Sequence, residues 1–498
     1  PDGFPFPDAL VMTSANHGGA PICRETAHAR KELDGICGHI LTHNRHIRIR
    51  ADDSVVLLRD ASTVPCLETE TDVHENRTDS CDKHPLADRS LENPKRLHVL
   101  RRSRGMAPLP HMLPFTCTGT VLGMGSELKN TFCLAKNGLF YLSPHVGDLE
   151  DLRTVQALEE TLRRLEDLLR MHPTCIACDM HPRYTSTALA RRLADEQGIP
   201  CIPVQHHYAH ILSCMAENER LEPVIGLAFD GTGYGLDGTI WGGEVLIADP
   251  ATCTRFAHIA PFPQTGGDAA SRECWRFALC LLYDLYGDDT AQERAKKFHI
   301  QTEEITKIHL KLTQKKINTV LSTSAGRLFD GLAALLCGIQ QSYFEGEAAM
   351  CLQFAAEKRV EEGQKRLNTS LRARFERIFE EACSSGNEPF VIPTHELVRF
   401  LIEERLQVED PALLAYLFHA GLAIFLAKTC EYASEKTHIR HIAISGGVFQ
   451  NTLLEALVLK ELSKQNHIPL IQSTVPANDG GLALGQAFHA AYLRKTDS

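Results

Sequence analysis

The chain has 498 residues, 43% hydrophobic and 23% charged, an ordinary balance for a folded chain and length enough for about three domains. Its 52 Lys and Arg against 63 Asp and Glu leave a net charge of −11, which argues against a nucleic-acid partner held by a general basic field. No apolar run reaches the roughly 20 residues that span a bilayer; the richest, 413–427, is interrupted by His419 and predicts a buried helix, with no membrane partner. The 17 cysteines are odd in number and scattered through apolar segments, unlike a disulfide framework, and read as buried thiols in a reducing cytoplasm. The chain opens on Pro1 without a signal-peptide pattern, and upstream sequence is expected.

In chain order, residues 1–59 alternate apolar runs with turn signals. The stretch 60–96 holds nine acidic and five basic residues, no aromatic and no glycine, and predicts a disordered insertion. From 118 to 143 the runs TGTVLGM, TFCLA and LFYLS predict strands, the last two joined by an Asn137-Gly138 hairpin turn. An amphipathic helix follows over 149–171, then strand CIACD, a helix over 186–197, strand CIPVQ, a helix from His206 and strand VIGLAFD. GTIWGGEVLIA predicts another hairpin. Residues 273–436 predict a mostly helical lobe, and strand HIAIS leads through Gly446-Gly447 into a helix over 453–465. Alternation of this kind predicts an α/β architecture.

Two strand ends carry clustered glycines, Asp230-Gly231-Thr232-Gly233 and Ser445-Gly446-Gly447, and Asn478-Asp479-Gly480-Gly481 repeats the theme. Such turns bring backbone N–H groups close to phosphate oxygens, but they also serve as plain tight turns. His206 and His210 are spaced i, i+4, which places them on one face of a helix as metal ligation requires. Composition alone also produces such pairs, and His39 and His43 are a second one. The pair Cys175 and Cys178 forms the single CxxC, in a predicted strand, without the second pair that a zinc ribbon needs. Met12 to Asn16 places hydroxyl and amide groups after an apolar strand, suited to an anion or to a helix cap.

Taken together, LVMTSAN, HNRHIRIRADDSV, GSELKNTFCLA, SPHVGDLEDL, CDMHPRY, VQHHYAH, DGTGYGLDGTIWGGE, SGGVFQN and NDGGLALGQ closely resemble the HypF carbamoyltransferases, in the family's order and outside 60–96. The resemblance implies a partial YrdC-like domain over 1–112 and a TsaD-like domain of the two-lobed actin/hexokinase/Hsp70 ATPase type over 118–498. It implies ATP and Mg²⁺ as cofactors, carbamoyl phosphate as donor, and carbamoyl adenylate as intermediate. The acceptor it implies is the C-terminal cysteine of HypE, in the cyanide-ligand synthesis of [NiFe] hydrogenase maturation.

On matched positions, Ser14, Asn16 and Arg50 would line the adenylation pocket and Lys129 would reach the anionic group. Gly231, Gly233, Gly446, Gly447, Asn451 and Asn478 would contact nucleotide. His206, His210, Asp230 and Asp479 would hold a metal, zinc or iron by the chemistry of the donors, with Asp230 also catalytic. The family's acylphosphatase, zinc-finger and first YrdC-like segments have no counterpart in these residues. An O-carbamoyltransferase of small molecules, or a nucleotide-binding scaffold without turnover, stays open beside this reading.

Overall fold

In the computed structural model, which describes residues 13–60, 95–384, 386, 388–408 and 410–496, the N-terminal segment forms helix α1 (Thr26–Glu32) and an antiparallel strand pair, β1 (Val55–Asp60) and β2 (Lys95–Arg101). Asp60 pairs with Lys95 and Arg59 with Arg96, so the two ends of the expected insertion belong to the ladder. The rest of that expectation, 61–94, lies outside the described residues.

Six short strands then build one sheet: β3 (Pro110–Met112), β4 (Val121–Gly123), β5 (Cys133–Lys136), β6 (Leu139–Leu142), β7 (Cys175–Asp179) and β8 (Cys201–Val204), in the order β3-β6-β5-β4-β7-β8. Asn137 and Gly138 join β5 to β6 with φ of 52° and 77°, the left-handed pair that a type I′ turn demands. Strand β7 is buried at all five positions and pairs in parallel with both neighbours, as a continuous apolar run predicts. Helix α2 (Leu152–Leu169) starts where the Asp151 carboxylate accepts from the Arg153 N–H at 2.8 Å, and α3 (Thr185–Gln197) returns the chain to β8.

Helix α4 (His206–Glu217) leads into the second sheet, through β9 (Val224–Tyr234), β10 (Ile240–Ala248), β11 (Cys253–Ile259) and β12 (Phe262–Thr265). The predicted helical lobe follows: α5 (Cys274–Tyr286), α6 (Asp288–Lys297), α7 (Glu303–Gln314), β13 (Thr319–Ser322), α8 (Ala325–Cys337), α9 (Glu347–Glu357), α10 (Val360–Arg366), α11 (Thr369–Cys383), β14 (Phe390–Ile392), α12 (Thr394–Arg405) and α13 (Pro411–Thr437). Helix α13 is long and apolar enough to cross a membrane by length and composition, yet 89% of its most apolar window is buried inside the fold. His419 does not interrupt it: the ring bonds the Ala415 carbonyl at 2.7 Å and the Asn451 amide at 2.8 Å. The chain closes with β15 (His441–Ser445), α14 (Thr452–Ser463), β16 (Ile468–Leu470) and α15 (Leu482–Leu493).

The second sheet runs β12-β13-β10-β9-β15-β16, with β11 on β10 and β14 on β11. One of its faces packs on the helical lobe, through Leu227 and Phe229 of β9. The other face, through Ala228 and Ala443, shares a core with α4, α15 and the first sheet's Val121, Cys175 and Ala177. Helices α4 and α15 are therefore the filling between two sheets. That layer carries the candidate site.

Candidate metal centre and the cavity beside it

Gln205 caps α4 by accepting from the Tyr208 N–H at 2.9 Å, which starts the helix at His206 and puts His206 and His210 one turn apart. Both rings are buried. Asp230 comes to them from β9 and Asp479 from the short 3₁₀ turn Asp479–Gly481 that precedes α15. The His206 Nε2 lies 3.3 Å from Asp230 Oδ2 and 3.7 Å from Asp479 Oδ1; the His210 Nε2 lies 3.6 and 3.7 Å from the same two oxygens. One donor atom from each of the four residues falls within 4.8 Å of all the others.

The strand before α4 does not neighbour the strand that carries Asp230: β8 belongs to the first sheet and β9 to the second. The ligands meet because α4 crosses the space between the sheets. Asp230 also does not end its strand. Strand β9 continues to Tyr234, with Phe229 opposite Gly243 and Gly233 opposite Trp241, so Asp230, Gly231 and Thr232 oppose Gly242 alone. That bulge leaves the ladder locally unpaired and re-aims the Asp230 carboxylate toward α4.

The donors fit a metal ion. The His210 Nε2 is buried with no hydrogen-bond partner among the described residues, an orphan that coordination would satisfy. His206 Nδ1 is held at 2.7 Å by Asp179 Oδ2, which fixes the ring with Nε2 toward the cluster, the outer carboxylate of a carboxylate–histidine–metal arrangement. Ser126 donates to Asp479 Oδ2 at 2.6 Å and the Gly447 N–H to Asp230 Oδ1 at 2.9 Å, so each carboxylate keeps one oxygen for the centre. Burial alone would push His206 down, but the Asp479 and Asp179 carboxylates outweigh it and raise the ring well above its ordinary value. Burial would raise Asp230, yet the hydrogen bond from His206 and the His210 imidazole 3.6 Å away bring it well below the usual carboxylate range.

His207 stands apart: its Nδ1 meets the Gln205 amide at 3.1 Å and burial pushes it well below its ordinary value. Asp179 and Ser126 were not singled out in the sequence. An acid closing the otherwise apolar CIACD was the available signal for the first. Asp179→Asn is expected to weaken zinc binding by about 10–100-fold, read by chelator competition, because an amide cannot draw the Nδ1 proton as a carboxylate does.

Ser14, Asn16, Arg50, Lys129 and Asn478 come together elsewhere, in the lining of one cavity of about 400 Å³ that also includes Arg101, His145 and Glu345. Arg50 is tied to the Ile22 carbonyl at 3.0 Å and to Glu160 at 3.2 Å. Lys129 sits at a φ of 48° and its ammonium pairs with Glu345. Burial would lower its pKa, but Glu345, Asp479 and Asp230 outweigh that and raise it. Asn478 donates to the Leu100 carbonyl at 3.0 Å, tying the cavity wall to β2.

Of the remaining expected nucleotide contacts, Gly231, Gly233, Gly446 and Gly447 lie around Asp230 and its strand. A Cβ on Gly446, whose φ is +107°, would fall 2.1 Å from the Phe229 carbonyl oxygen; one on Gly233 would fall 2.5 Å from His207 Cε1. The Gly231 carbonyl accepts from the Ser324 hydroxyl. Asn451 has both ends of its amide engaged inside the fold, one on His419 at 2.8 Å and the other capping α14 through the Leu454 N–H at 3.0 Å.

Two sheets sandwiching a His/Asp cluster, with a polar cavity shared by a separate N-terminal segment, agree with what comparison with known proteins returns. Residues 226–486 match the family described as carbamoyltransferase, Kae1-like domain, second subdomain, and residues 116–217 match the HypF Kae1-like domain. Residues 4–66 match the Sua5/YciO/YrdC family, described as telomere recombination. Carbamoyltransferase HypF2 of Cupriavidus necator is 32% identical over 97% of this chain and 56% of its own, and carbamoyltransferase HypF of Synechocystis 33% identical over 96% and 56%. A crystal structure of full-length HypF in the phosphate- and nucleotide-bound form superposes with a TM-score of 0.79 at 30% identity, covering 97% of this chain and 67% of that one.

The fold is thus α/β, a two-lobed Kae1-like carbamoyltransferase unit behind a partial YrdC-like segment. The chain belongs to the HypF carbamoyltransferase family. It spans about half the length of the curated relatives it matches, 56% in both cases above.

Proposed function

We propose that the chain performs the transfer half of an ATP-dependent carbamoylation, passing a carbamoyl group from carbamoyl adenylate to the C-terminal cysteine thiol of HypE. Carbamoyl phosphate and ATP are the small-molecule sources in this reading, and the domain limits are 1–112 and 118–498. The observation that carries it is one cavity whose wall combines Ser14, Asn16 and Arg50 of the YrdC-like segment with Lys129 and Asn478 of the Kae1-like unit. A labile adenylate made at one side can be consumed at the other within the same cavity, which shortens its path to the acceptor.

Carbamate is a poor electrophile, and adenylation gives it a good leaving group. In the transfer, the acceptor thiol loses its proton and its sulfur attacks the carbamoyl carbon. The C–S bond forms as the bond to the phosphate oxygen breaks, and AMP leaves with the electron pair. Arg50 and Lys129 offset the phosphate charge, Lys129 exchanging Glu345 for the anion. Ser14 and Asn16 supply neutral polar contacts to the adenylate, and the glycines around Asp230, with Asn478, let nucleotide approach the backbone. His206, His210, Asp230 and Asp479 would hold zinc or ferrous iron, which when bound supplies Lewis acidity toward a phosphate or carbonyl oxygen. Asp230 keeps His206 and His210 oriented toward that centre.

Calorimetry of the full chain with a non-hydrolysable ATP analogue and Mg²⁺ tests the nucleotide part. A saturable heat is expected, weakened roughly tenfold by Lys129→Ala as one charge-assisted contact is removed. No saturation up to millimolar nucleotide would refute it.

A further inference from the structure

The one CxxC of the sequence does not act as a pair. Cys175 and Cys178 are three apart in β7, and side chains at odd separations in a strand face opposite sides. Cys175 accordingly packs in the core between the sheets, and Cys178 in the separate core under α2 and α3. Cys178 finds a different partner there. Its sulfur lies 3.6 Å from that of Cys201 on β8, the parallel neighbour of β7. Cys178 is 1% exposed, whereas Cys201 is only partly buried.

We propose that Cys178 and Cys201 are a thiol modification site that closes to a reversible disulfide when the chain meets a hydroperoxide. The sulfurs stand about 1.5 Å beyond bonding distance, and because Cys178 opposes Pro203 while Cys201 opposes Ile176, closing that gap takes side-chain rotation and a shift of β7 against β8. The two thiols are also made unequal by their surroundings. Either sulfur can donate in their mutual hydrogen bond, but burial pushes the enclosed Cys178 thiol up, and Cys201 is the less buried of the two. Cys201 is thus both the better nucleophile and the more accessible one. Its thiolate attacks the peroxide oxygen, the O–O bond breaks, and the alcohol or water leaves, giving a sulfenic acid. The Cys178 sulfur then attacks the Cys201 sulfur, the S–O bond breaks, and water leaves with the Cys178 proton. Two thiols are oxidised and one peroxide is reduced.

The site is coupled to the His/Asp cluster by the next residue along β7. Asp179 follows Cys178 and holds His206 Nδ1 at 2.7 Å, so drawing Cys178 toward β8 displaces the group that orients a candidate ligand. This coupling rests on the metal reading given above; the disulfide itself does not.

Hydrogen peroxide applied to the full chain, alkylation of the remaining thiols and unreduced peptide mapping make the test. The expected product joins the Cys178 and Cys201 peptides, exceeds any other disulfide roughly tenfold, and reverts with dithiothreitol. In Cys178→Ala, dimedone should trap Cys201 as its sulfenic acid. Preferential oxidation elsewhere, or Cys201 proceeding to sulfinate without a cross-link in the wild type, would overturn the site. Zinc content is then compared before and after oxidation, with His206→Ala alongside. A fall of about tenfold or more in the wild type supports the coupling. Unchanged zinc with the disulfide formed would overturn the coupling alone. Zinc retained equally by His206→Ala would instead remove the metal reading and leave the disulfide standing.

Discussion

Replacing both His206 and His210 with alanine is expected to take bound zinc or iron from about one per chain to below roughly a tenth, measured by elemental analysis after dialysis. Losing one outer-shell partner already costs about 10–100-fold in affinity, and this variant loses both imidazoles. The carboxylates that remain, Asp230 and Asp479, favour hard cations such as Mg²⁺ over zinc. His210→Ala alone is the cleaner variant, because its Nε2 has no hydrogen-bond partner among the described residues, whereas losing His206 takes the imidazole from the buried Asp179 Oδ2 and leaves that carboxylate only the His181 N–H on its other oxygen. The direction with pH follows from the chemistry of the ligands. His206 is raised well above its ordinary value by Asp479 and Asp179 against the effect of burial, so the metal-free ring is protonated near neutrality. An incoming ion must displace that proton, so uptake releases protons and weakens as pH falls. Equal sub-stoichiometric metal in wild type and double variant, with equal carbamoyl transfer, would make the cluster a hydrogen-bonded ionic core and end the ligand assignment.

How much of this was legible in the sequence depends on which interactions set each feature. The i, i+4 histidines were readable because a helix fixes its own periodicity, and the capping by Gln205 starts that helix at His206. Strands CIACD and HIAIS were readable because a short apolar run closed by a polar residue is a local pattern. Sheet membership was not. Nothing in the alternation of CIPV or VIGLAFD says that the two strands lie in different sheets, since that is decided by which faces α4 and α15 cover. The bulge at Asp230 was hidden for a related reason. Register is a property of β9 and β10 together, and DGTGY reads as a turn until Gly233 is seen opposite Trp241. Asp179 escaped because a lone acid at a strand end is common, and its meaning comes only from the imidazole it meets. The cavity residues Ser14 and Lys129 are more than a hundred positions apart, and only the resemblance to a known family joined them beforehand.

Gly485→Ala is expected to destabilise the chain by about 1–3 kcal/mol or more and to empty the metal site as well. Helix propensity argues the other way: alanine in a helix interior is favoured over glycine by roughly 1 kcal/mol. Packing overrules it. A Cβ on Gly485 would fall 1.9 Å from the Ala209 carbonyl oxygen and 2.8 Å from the Ser213 N–H nitrogen, and both are backbone atoms of α4 that cannot rotate aside. Helices α4 and α15 would have to part, in the layer on which both sheets rest. Ala209 sits between His206 and His210 on α4, and Asp479 lies just before α15, so parting the helices draws the imidazoles away from a carboxylate now 3.7 Å distant. Urea midpoints and zinc content of the same preparation should fall together. Gly198→Ala provides the contrast, since a Cβ there meets open space and the cost is the strain of a φ of +65°, about 1 kcal/mol, with zinc retained. If Gly485→Ala unfolds with the wild type and keeps its zinc, the close approach of α15 to α4 is not what holds the four donors together.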